Sequence, residues 1–410
     1  MEQITDQSHS KSAYLLAASK LFERASYYGF KAIIVLYLMD ETINMQRESA
    51  LQIYALFTTG VLMFGIVGAL LGDLVLGNKK AIMIGAFLQT LGVFIMCYTF
   101  LNSFYIGIGL VLLGGGLFTP NMFSSFGKTY LWREKLLDAG FSIYYLVVNI
   151  GAALGIASIG YIGEIYGWTF GFMTAGFFMI LSLLFVFLSK ESKIEEAIAH
   201  KIQKRQRILN VVLAFFLMGM FWNIYEIGSF RIRDIDIAFF DDDVKAMFRT
   251  ISTKVNSYLF IPIGIILTAI WTYYYSNPLI KLSIGFMFGA AAYGILMFIP
   301  EVPLDSHAPI FVTSLFCLCI AETFIGPILM ALITKYSHPK YLAITGSLMF
   351  LPHGLFSIVM YFSGDALIDN SSYYVKYYLI AMAVISLGLL FLSRTKRESK
   401  HFITIDSLDN

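Results

Sequence analysis

Long apolar runs dominate this sequence and constrain its fold more than any other feature. An α-helix needs roughly 20 mostly apolar residues to cross a bilayer, and twelve runs of about that length follow one another along the chain. Because an outer-membrane barrel would show short alternating segments instead, the runs predict an all-α polytopic membrane protein with twelve transmembrane helices. The runs are approximately Ala13–Met39, Leu51–Leu71, Ala81–Leu101, Phe104–Phe126, Phe141–Ile159, Trp168–Leu188, Ile208–Phe230, Val255–Tyr275, Leu279–Ile299, Ile310–Ile333, Leu342–Phe362 and Tyr374–Leu392.

The composition excludes an ordinary water-soluble domain. Only 14% of the residues are charged, whereas soluble domains carry about 25%. The three cysteines, Cys97, Cys317 and Cys319, all lie inside apolar runs without metal-type spacing. We therefore interpret them as small packing residues rather than as a disulfide framework.

A basic stretch between the sixth and seventh runs divides the chain. It carries six of the 29 Lys and Arg residues within residues 190–207. The sequence predicts an N-terminal six-helix half over residues 1–189, a cytoplasmic linker over 190–207 and a C-terminal six-helix half over 208–410. Two matching turns support related halves, since Asn78 and Asn277 each precede a run with a glycine, Gly85 and Gly285.

The distribution of basic residues predicts the orientation. With the N-terminus in the cytoplasm, 19 Lys and Arg residues fall in cytoplasmic segments and 7 in outer segments. Cytoplasmic loops of membrane proteins carry such an excess. We expect both termini in the cytoplasm and a location in the cell (inner or plasma) membrane.

Four charged residues interrupt the first apolar run. Lys20, Glu23, Arg24 and Lys31 recur at helical spacing and point to broadly one side of a helix. Charges inside a span are costly and by default mark a pathway or a paired site. The alternative is a local group near the cytoplasmic end that reaches the interface, which suits Lys20 better than the deeper residues.

Two isolated acids and a histidine stand out within the apolar runs of the second half. Glu226 in the seventh run and Glu322 in the tenth each require a partner from another helix or a bound proton. Lys31 and Glu226 lie at matching depths, so we predict that they pair. For His353 in the eleventh run, a packing role is favoured over a proton relay.

Seven sequence segments, collinear along the chain, resemble motifs of one transporter family. They are similar to signatures of the proton-dependent oligopeptide transporter family of the major facilitator superfamily, including its first-helix motif E-x-x-E-R-F-x-Y-Y-G. Together they are specific, although each is weak alone. The segments are ERASYYG from Glu23, GIVGALLGDLVLGNKK from Gly65, LFTPN from Leu117, FSIYYLVVNIG from Phe141, FW from Phe221 with Glu226, Asn256, and Glu322 with Pro327.

The resemblance implies a major facilitator fold with a central cavity and assigns roles to individual residues. It implies that Glu322 holds the amino terminus of a peptide, that Lys31 and Glu226 form an outer gate, and that Asp73 locks the cytoplasmic side. Glu23 and Arg24 stand in the motif that couples protons and positions the peptide carboxylate. The implied substrate-binding residues are Tyr27, Tyr28, Asn149, Trp222, Asn256 and Glu322.

The chain departs from this family at the residues that carry its proton chemistry. Lys20 stands where the motif has its first Glu, and Thr119 stands where the fourth helix has a Lys. The family's four residues sum to zero charge, whereas Lys20, Glu23, Arg24 and Thr119 sum to +1. We expect Lys20 to occupy the space left by the missing fourth-helix lysine.

These observations predict a secondary active transporter that takes up di- or tripeptides, or similar small zwitterions, with protons. The alternatives are a transporter or exporter of another metabolite or siderophore, and a non-transporting membrane sensor. The sequence shows no nucleophile with base and acid, no metal motif and no phosphate loop, so it predicts neither an enzyme nor a cofactor. The expected partners are a small-molecule or short-peptide substrate, protons and the bilayer, without nucleic acid, and we expect a monomer.

Overall fold

The computed structural model describes residues 2–3, 8–41, 43–191, 204–239, 251–356 and 371–406. Within them, side chains are described except at residues 2–3, 236–239, 251–258, 305, 371 and 396–406. Two two-residue strands, β1 (Glu2–Gln3) and β2 (Tyr274–Tyr275), pair antiparallel. The helices are α1 (Lys11–Met39), α2 (Arg47–Leu71), α3 (Asn78–Met96), α4 (Leu101–Lys128), α5 (Leu137–Tyr166), α6 (Trp168–Leu188), α7 (Lys204–Phe239), α8 (Ile251–Tyr273), α9 (Pro278–Leu296), α10 (Ala308–Tyr336), α11 (Leu342–Leu348), α12 (residues 351–356) and α13 (Ser371–Asp406).

The helices confirm the predicted all-α membrane architecture. Nine helices within the described ranges are long and apolar enough to cross a bilayer, among them α6 with a mean hydropathy of 2.3 in its most apolar window. The buried face of α1 includes Lys20, Glu23 and Arg24, and the apolar part of α8 is limited to Leu259–Tyr273.

Local chemistry fixes several helix ends. The Ser10 side chain accepts a hydrogen bond from the Ala13 amide at 3.1 Å and caps α1. Asn277 caps α9 in the same way, with Pro278 at the first helical position, where its missing N–H costs nothing. Between α2 and α3 a π-helical turn, Gly72–Leu76, ends at Gly77, whose φ of +80° favours glycine.

Two predicted spans differ from the observed helices. The third was predicted to reach Leu101, but α3 ends at Met96 and α4 begins at Leu101. The eleventh was predicted as one run, but the helix ends at Leu348 and resumes at residue 351. The physical reason is Pro352, whose nitrogen has no hydrogen to donate to the carbonyl of Leu348.

Residue contacts divide the chain into two compact units. The N-terminal unit comprises Asp6–Leu213 with Ile333–Leu351, and the C-terminal unit comprises Met1–Thr5, Ala214–Leu332 and Pro352–Asn410. Residues 333–351 contact the N-terminal unit because Lys335 forms an ion pair with Glu134 at 2.9 Å and the Tyr336 carbonyl accepts from Arg207 at 3.1 Å. The predicted boundaries of the halves stay a prediction, since the linker falls largely outside the described residues.

Glycines bring helix backbones into direct contact in the N-terminal unit. A Cβ atom added at Gly85 would lie 2.6 Å from the carbonyl oxygen of Gly114, and one added at Gly114 would lie 2.5 Å from that of Gly85. Membrane helices use small residues for such close approach. The C-terminal unit shows the same arrangement, since a Cβ at Gly285 in α9 would lie 2.7 Å from the Ile325 side chain in α10.

Serine pairs add polar contacts between buried helix faces. Ser19 in α1 and Ser182 in α6 lie 2.9 Å apart, and Ser283 in α9 and Ser386 in α13 lie 3.1 Å apart. In each pair one hydroxyl can donate to the other, so neither polar group is left unpaired in an apolar surrounding.

The triple glycine of α4 gives a matched test of this packing. Gly114→Ala should lower the free energy of unfolding of the detergent-solubilised protein by roughly 1–3 kcal/mol, and with it the melting temperature, because the methyl group would overlap the α3 backbone. Gly115→Ala should be neutral or stabilising, since the nearest atom to its Cβ would be 3.8 Å away and alanine favours helix. Thermal unfolding of both purified variants checks this, and equal melting temperatures would contradict it.

Candidate functional site

Three charged side chains of α1 form a buried ion cluster. Arg24 donates two hydrogen bonds to Glu23, from Nε to Oε2 at 2.7 Å and from Nη2 to Oε1 at 2.5 Å. Lys20 Nζ lies 3.0 Å from the same Glu23 Oε2. Lys20 and Glu23 are 2% and 0% exposed, so both charges are removed from solvent. The one carboxylate therefore serves two cations, and we call these three residues the first-helix cluster.

Arg24 connects the first-helix cluster to α4 and to two tyrosines. Its Nη2 donates to Thr119 Oγ1 at 3.1 Å. Its guanidinium carbon lies 4.5 Å from the ring centre of Tyr27 and 5.7 Å from that of Tyr28, both within the range of cation–π attraction. Thr119 accepts a hydrogen bond at a position where a lysine would repel Arg24.

Lys20 lies against aromatic rings of α4 and α5. Its Nζ is 5.4 Å from the Phe118 ring centre and 6.0 Å from that of Tyr144. The lysine thus extends from α1 to the residue next to Thr119, and its substitution for the missing fourth-helix lysine stays a prediction. With Thr119 neutral, the formal charges of Lys20, Glu23 and Arg24 sum to +1.

The other predicted residues of this unit lie along the same helix or on α5. Tyr27 stacks on Phe57 of α2 at 5.6 Å, and Lys31 Nζ lies 5.4 Å from the Tyr54 ring centre. The Asn149 amide nitrogen donates to the Tyr145 carbonyl one turn earlier in α5, at 3.0 Å. This bond uses one donor of Asn149 and fixes the orientation of its side chain.

Asp73 lies in the π-helical turn after α2 and joins two segments of the N-terminal unit. One carboxylate oxygen accepts from the Asn78 side chain and the other from the Ile344 amide, both at 2.9 Å. Ile344 lies in the first turn of α11, where backbone N–H groups have no partner within the helix. Asp73 therefore caps α11, and its proposed locking role stays a prediction.

Two asparagines to which the sequence analysis gave no side-chain role organise this turn. Asn121 is fully buried and donates to the carbonyls of Gly68 and Leu117 at 2.9 and 2.7 Å. Asn78 donates to Asn121 at 2.7 Å and accepts from Lys128 at 2.5 Å. For Asn121 an amide inside an apolar run was the available signal, but only the structure shows which partners the two side chains bind.

In the C-terminal unit, Glu226 lies beside a histidine. His353 Nδ1 is 3.4 Å from Glu226 Oε2 and 3.2 Å from Asn223 Oδ1. The two side chains remain partly accessible, with 27% of His353 and 36% of Glu226 exposed. The predicted Lys31–Glu226 pair would join residues of different units, and it stays a prediction.

The remaining predicted residues of this unit lie on α7, α8 and α10. Trp222 donates from its indole nitrogen to the Met218 sulfur at 3.2 Å, and its ring centre lies 6.4 Å from that of His353. Glu322 is 7% exposed in α10. Asn256 belongs to α8, but its side chain lies outside the described residues.

Comparisons with known proteins agree with this architecture. A family model described as Major Facilitator Superfamily matches residues 16–300. The uncharacterized transporter YclF of Bacillus subtilis is 31% identical over 191 residues, which cover 45% of this chain and 39% of that protein. Dipeptide and tripeptide permease B of Aliivibrio fischeri is 32% identical over 178 residues, covering 43% and 36% respectively. The chain thus matches less than half the length of these curated relatives.

Solved structures of similar fold span nearly the whole chain. The crystal structure of peptide transporter POT in complex with sulfate matches with a TM-score of 0.59 at 21% identity, covering 96% of both chains. A POT family transporter in complex with 5-aminolevulinic acid matches with a TM-score of 0.59 at 19% identity, covering 96% of this chain and 98% of that one. These similarities show the fold. The chain belongs to the major facilitator superfamily as a multi-pass membrane protein, and the resemblance of its motifs to the peptide-transporter family is confirmed.

Proposed function

We propose that this chain is a secondary active transporter that takes up di- or tripeptides, or similar small zwitterions, by alternating access driven by protons. The observation that carries the proposal is the buried first-helix cluster in a membrane-spanning helix. Buried charges are costly to maintain in a span and accordingly mark transport pathways. The similarity to dipeptide and tripeptide permeases supports a peptide as the substrate.

The charges of the two units suit the two ends of a zwitterion. In the N-terminal unit, Arg24 retains its charge at every physiological pH, and the first-helix cluster carries an excess positive charge that would attract a carboxylate. In the C-terminal unit, Glu322 is a buried acid that would attract an ammonium group. We propose Tyr27, Tyr28, Asn149, Trp222 and Asn256 as further substrate contacts.

The proton is carried by the C-terminal unit in this proposal. Glu23 lies between Lys20 and Arg24, and both cations stabilise its ionised form. Glu23 therefore has a structural role. Glu226 lies beside His353, and both side chains remain partly accessible, which suits this part of the C-terminal unit as the place where the proton binds.

We propose a plasma-membrane protein with both termini in the cytoplasm, acting as a monomer. The orientation rests on the 19 cytoplasmic against 7 outer basic residues. In this orientation the Asp73 turn faces the cytoplasm, and its cap on α11 would hold that side closed.

Uptake by the purified full-length protein in proteoliposomes tests the function. Vesicles should accumulate labelled di- and tripeptides when an inward proton gradient is imposed, and should show peptide counterflow without it. A panel of neutral, acidic and basic peptides identifies the substrate class. Absence of both uptake and counterflow across the panel would overturn the peptide assignment in favour of another substrate or a sensor.

Replacing Glu322 tests the ammonium contact. Glu322→Gln should abolish peptide uptake and counterflow, because the amide keeps the shape of the side chain but loses its negative charge. The exposed Glu164 of α5 supplies a matched control, and Glu164→Gln should transport normally. Both variants should reach the membrane in equal amounts. Full transport by Glu322→Gln would remove the residue from the proposed site.

Replacing members of the first-helix cluster tests the structural role of Glu23. Glu23→Gln should destabilise the protein by about 3–5 kcal/mol, since two buried cations lose their common partner. Lys20→Met should have a much smaller effect because the Glu23–Arg24 pair stays intact. Adding Lys20→Met to Glu23→Gln should restore part of the lost stability by removing the repulsion. Thermal unfolding of the three variants in detergent measures this, and additive losses would contradict it.

A further inference from the structure

A polar site on α7 of the C-terminal unit contains two titratable side chains, those of Glu226 and His353. Asn223 and Glu226 are three residues apart, so they lie on one face of the helix. His353 of α12 directs Nδ1 at both of them, 3.2 Å from Asn223 Oδ1 and 3.4 Å from Glu226 Oε2. We call Asn223, Glu226 and His353 the His353 site.

The backbone seats His353 at this position. Gly219 lies on the same α7 face, four residues before Asn223 and seven before Glu226. A Cβ added at Gly219 would lie 2.8 Å from the ring of Pro352, so the glycine makes room for the proline. Since Pro352 and His353 are adjacent near the start of α12, this contact places the imidazole one turn further along α7, beside Asn223 and Glu226.

Hydrogen-bond chemistry identifies which imidazole nitrogen can change its protonation. Asn223 Oδ1 accepts hydrogen bonds, as does Glu226 Oε2 while it is ionised, so Nδ1 then carries a hydrogen in the neutral ring as well as in the charged ring. A second proton must then bind Nε2. Before this proton binds, an ionised Glu226 lies beside a neutral ring, and the site has a charge of −1. Protonation of the ring turns the contact into an ion pair and brings the charge of the site to zero.

We propose that His353 accepts the coupling proton at Nε2, with Glu226 as its ionised counter-charge. A proton on the imidazole leaves Glu226 charged at 3.4 Å from the cation, which makes the contact an ion pair. Placing the proton on Glu226 instead would leave two neutral groups and forgo the ion pair. The inference rests on the proton coupling proposed above.

Three charged or titratable side chains described near α7, those of Tyr225, Tyr293 and Arg231, do not compete for the proton. Tyr225 of α7 and Tyr293 of α9 are phenols, which do not ionise over the pH range where an imidazole titrates. Tyr293 donates its hydroxyl to the Ile224 carbonyl at 3.1 Å. Arg231 donates to the carbonyls of Ile299 and Pro300 at 2.8 and 2.9 Å, and is thereby directed away from the His353 site.

Infrared difference spectroscopy of the full-length protein between about pH 8 and pH 5 observes the proton directly. His353→Asn keeps an N–H donor near the position of Nδ1 but cannot titrate, so it should lose one imidazole signal. His307→Gln, which alters a histidine that caps the Leu304 amide, should retain that signal. A carboxylic-acid band that disappears in Glu226→Gln, with the imidazole signals of His353→Asn unchanged, would overturn the proposal.

Transport assays connect the titration to coupling. His353→Asn and Glu226→Gln should each lose proton-driven uptake while peptide counterflow continues, and His307→Gln should keep both. If His353→Asn still takes up peptide under a proton gradient, with the same pH dependence as the wild-type protein, the proposed role of His353 is wrong. Should the asparagine variant lose thermal stability, His353→Gln repeats both measurements. If wild-type protein transports no peptide, the proposed function fails, whereas the infrared titration still decides whether His353 binds the proton.

Discussion

The free-energy cost of removing charged side chains from water determines how the first-helix cluster of the N-terminal unit is built. Lys20, Glu23 and Arg24 are all buried in α1, and each cation is stabilised by the same carboxylate. An unpaired charge in such surroundings would cost several kcal/mol. The aromatic rings beside Lys20 and the Thr119 hydroxyl beside Arg24 are consequences of this constraint, because each offers a cation favourable contact without adding another charge.

The fold was predictable wherever a single helix crosses the bilayer as an uninterrupted apolar run. The predicted sixth span, Trp168–Leu188, has the bounds of α6. Hydropathy failed where backbone chemistry overrides composition, as at Pro352, which interrupts an otherwise apolar run. It also gave no indication that residues 333–351 contact the N-terminal unit, because that contact depends on single polar atoms, such as the Asp73 carboxylate on the Ile344 amide.

The site was predictable in its residue types but not in its pairings. Helical spacing brought Lys20, Glu23 and Arg24 to one side of α1, and the structure joins them. Spacing within one helix says nothing about a partner on another. Thus the sequence favoured a packing role for His353, whereas in the structure its imidazole lies beside Glu226. The side-chain roles of Asn78 and Asn121 were missed for the same reason, since each depends on a hydrogen bond to the other.

The two charged sites differ in the kind of charge they hold, and this difference separates their roles. The first-helix cluster contains an arginine, whose charge is permanent, held by two hydrogen bonds to a carboxylate. The His353 site contains an imidazole, a side chain that can change its charge by binding a proton. A fixed charge suits recognition of a substrate ion, and a variable charge suits a driving proton. Lys20 stands where the motif has a Glu, so the N-terminal unit lacks that carboxylate, and in our proposal the contact of His353 with Glu226 provides the proton site in the C-terminal unit.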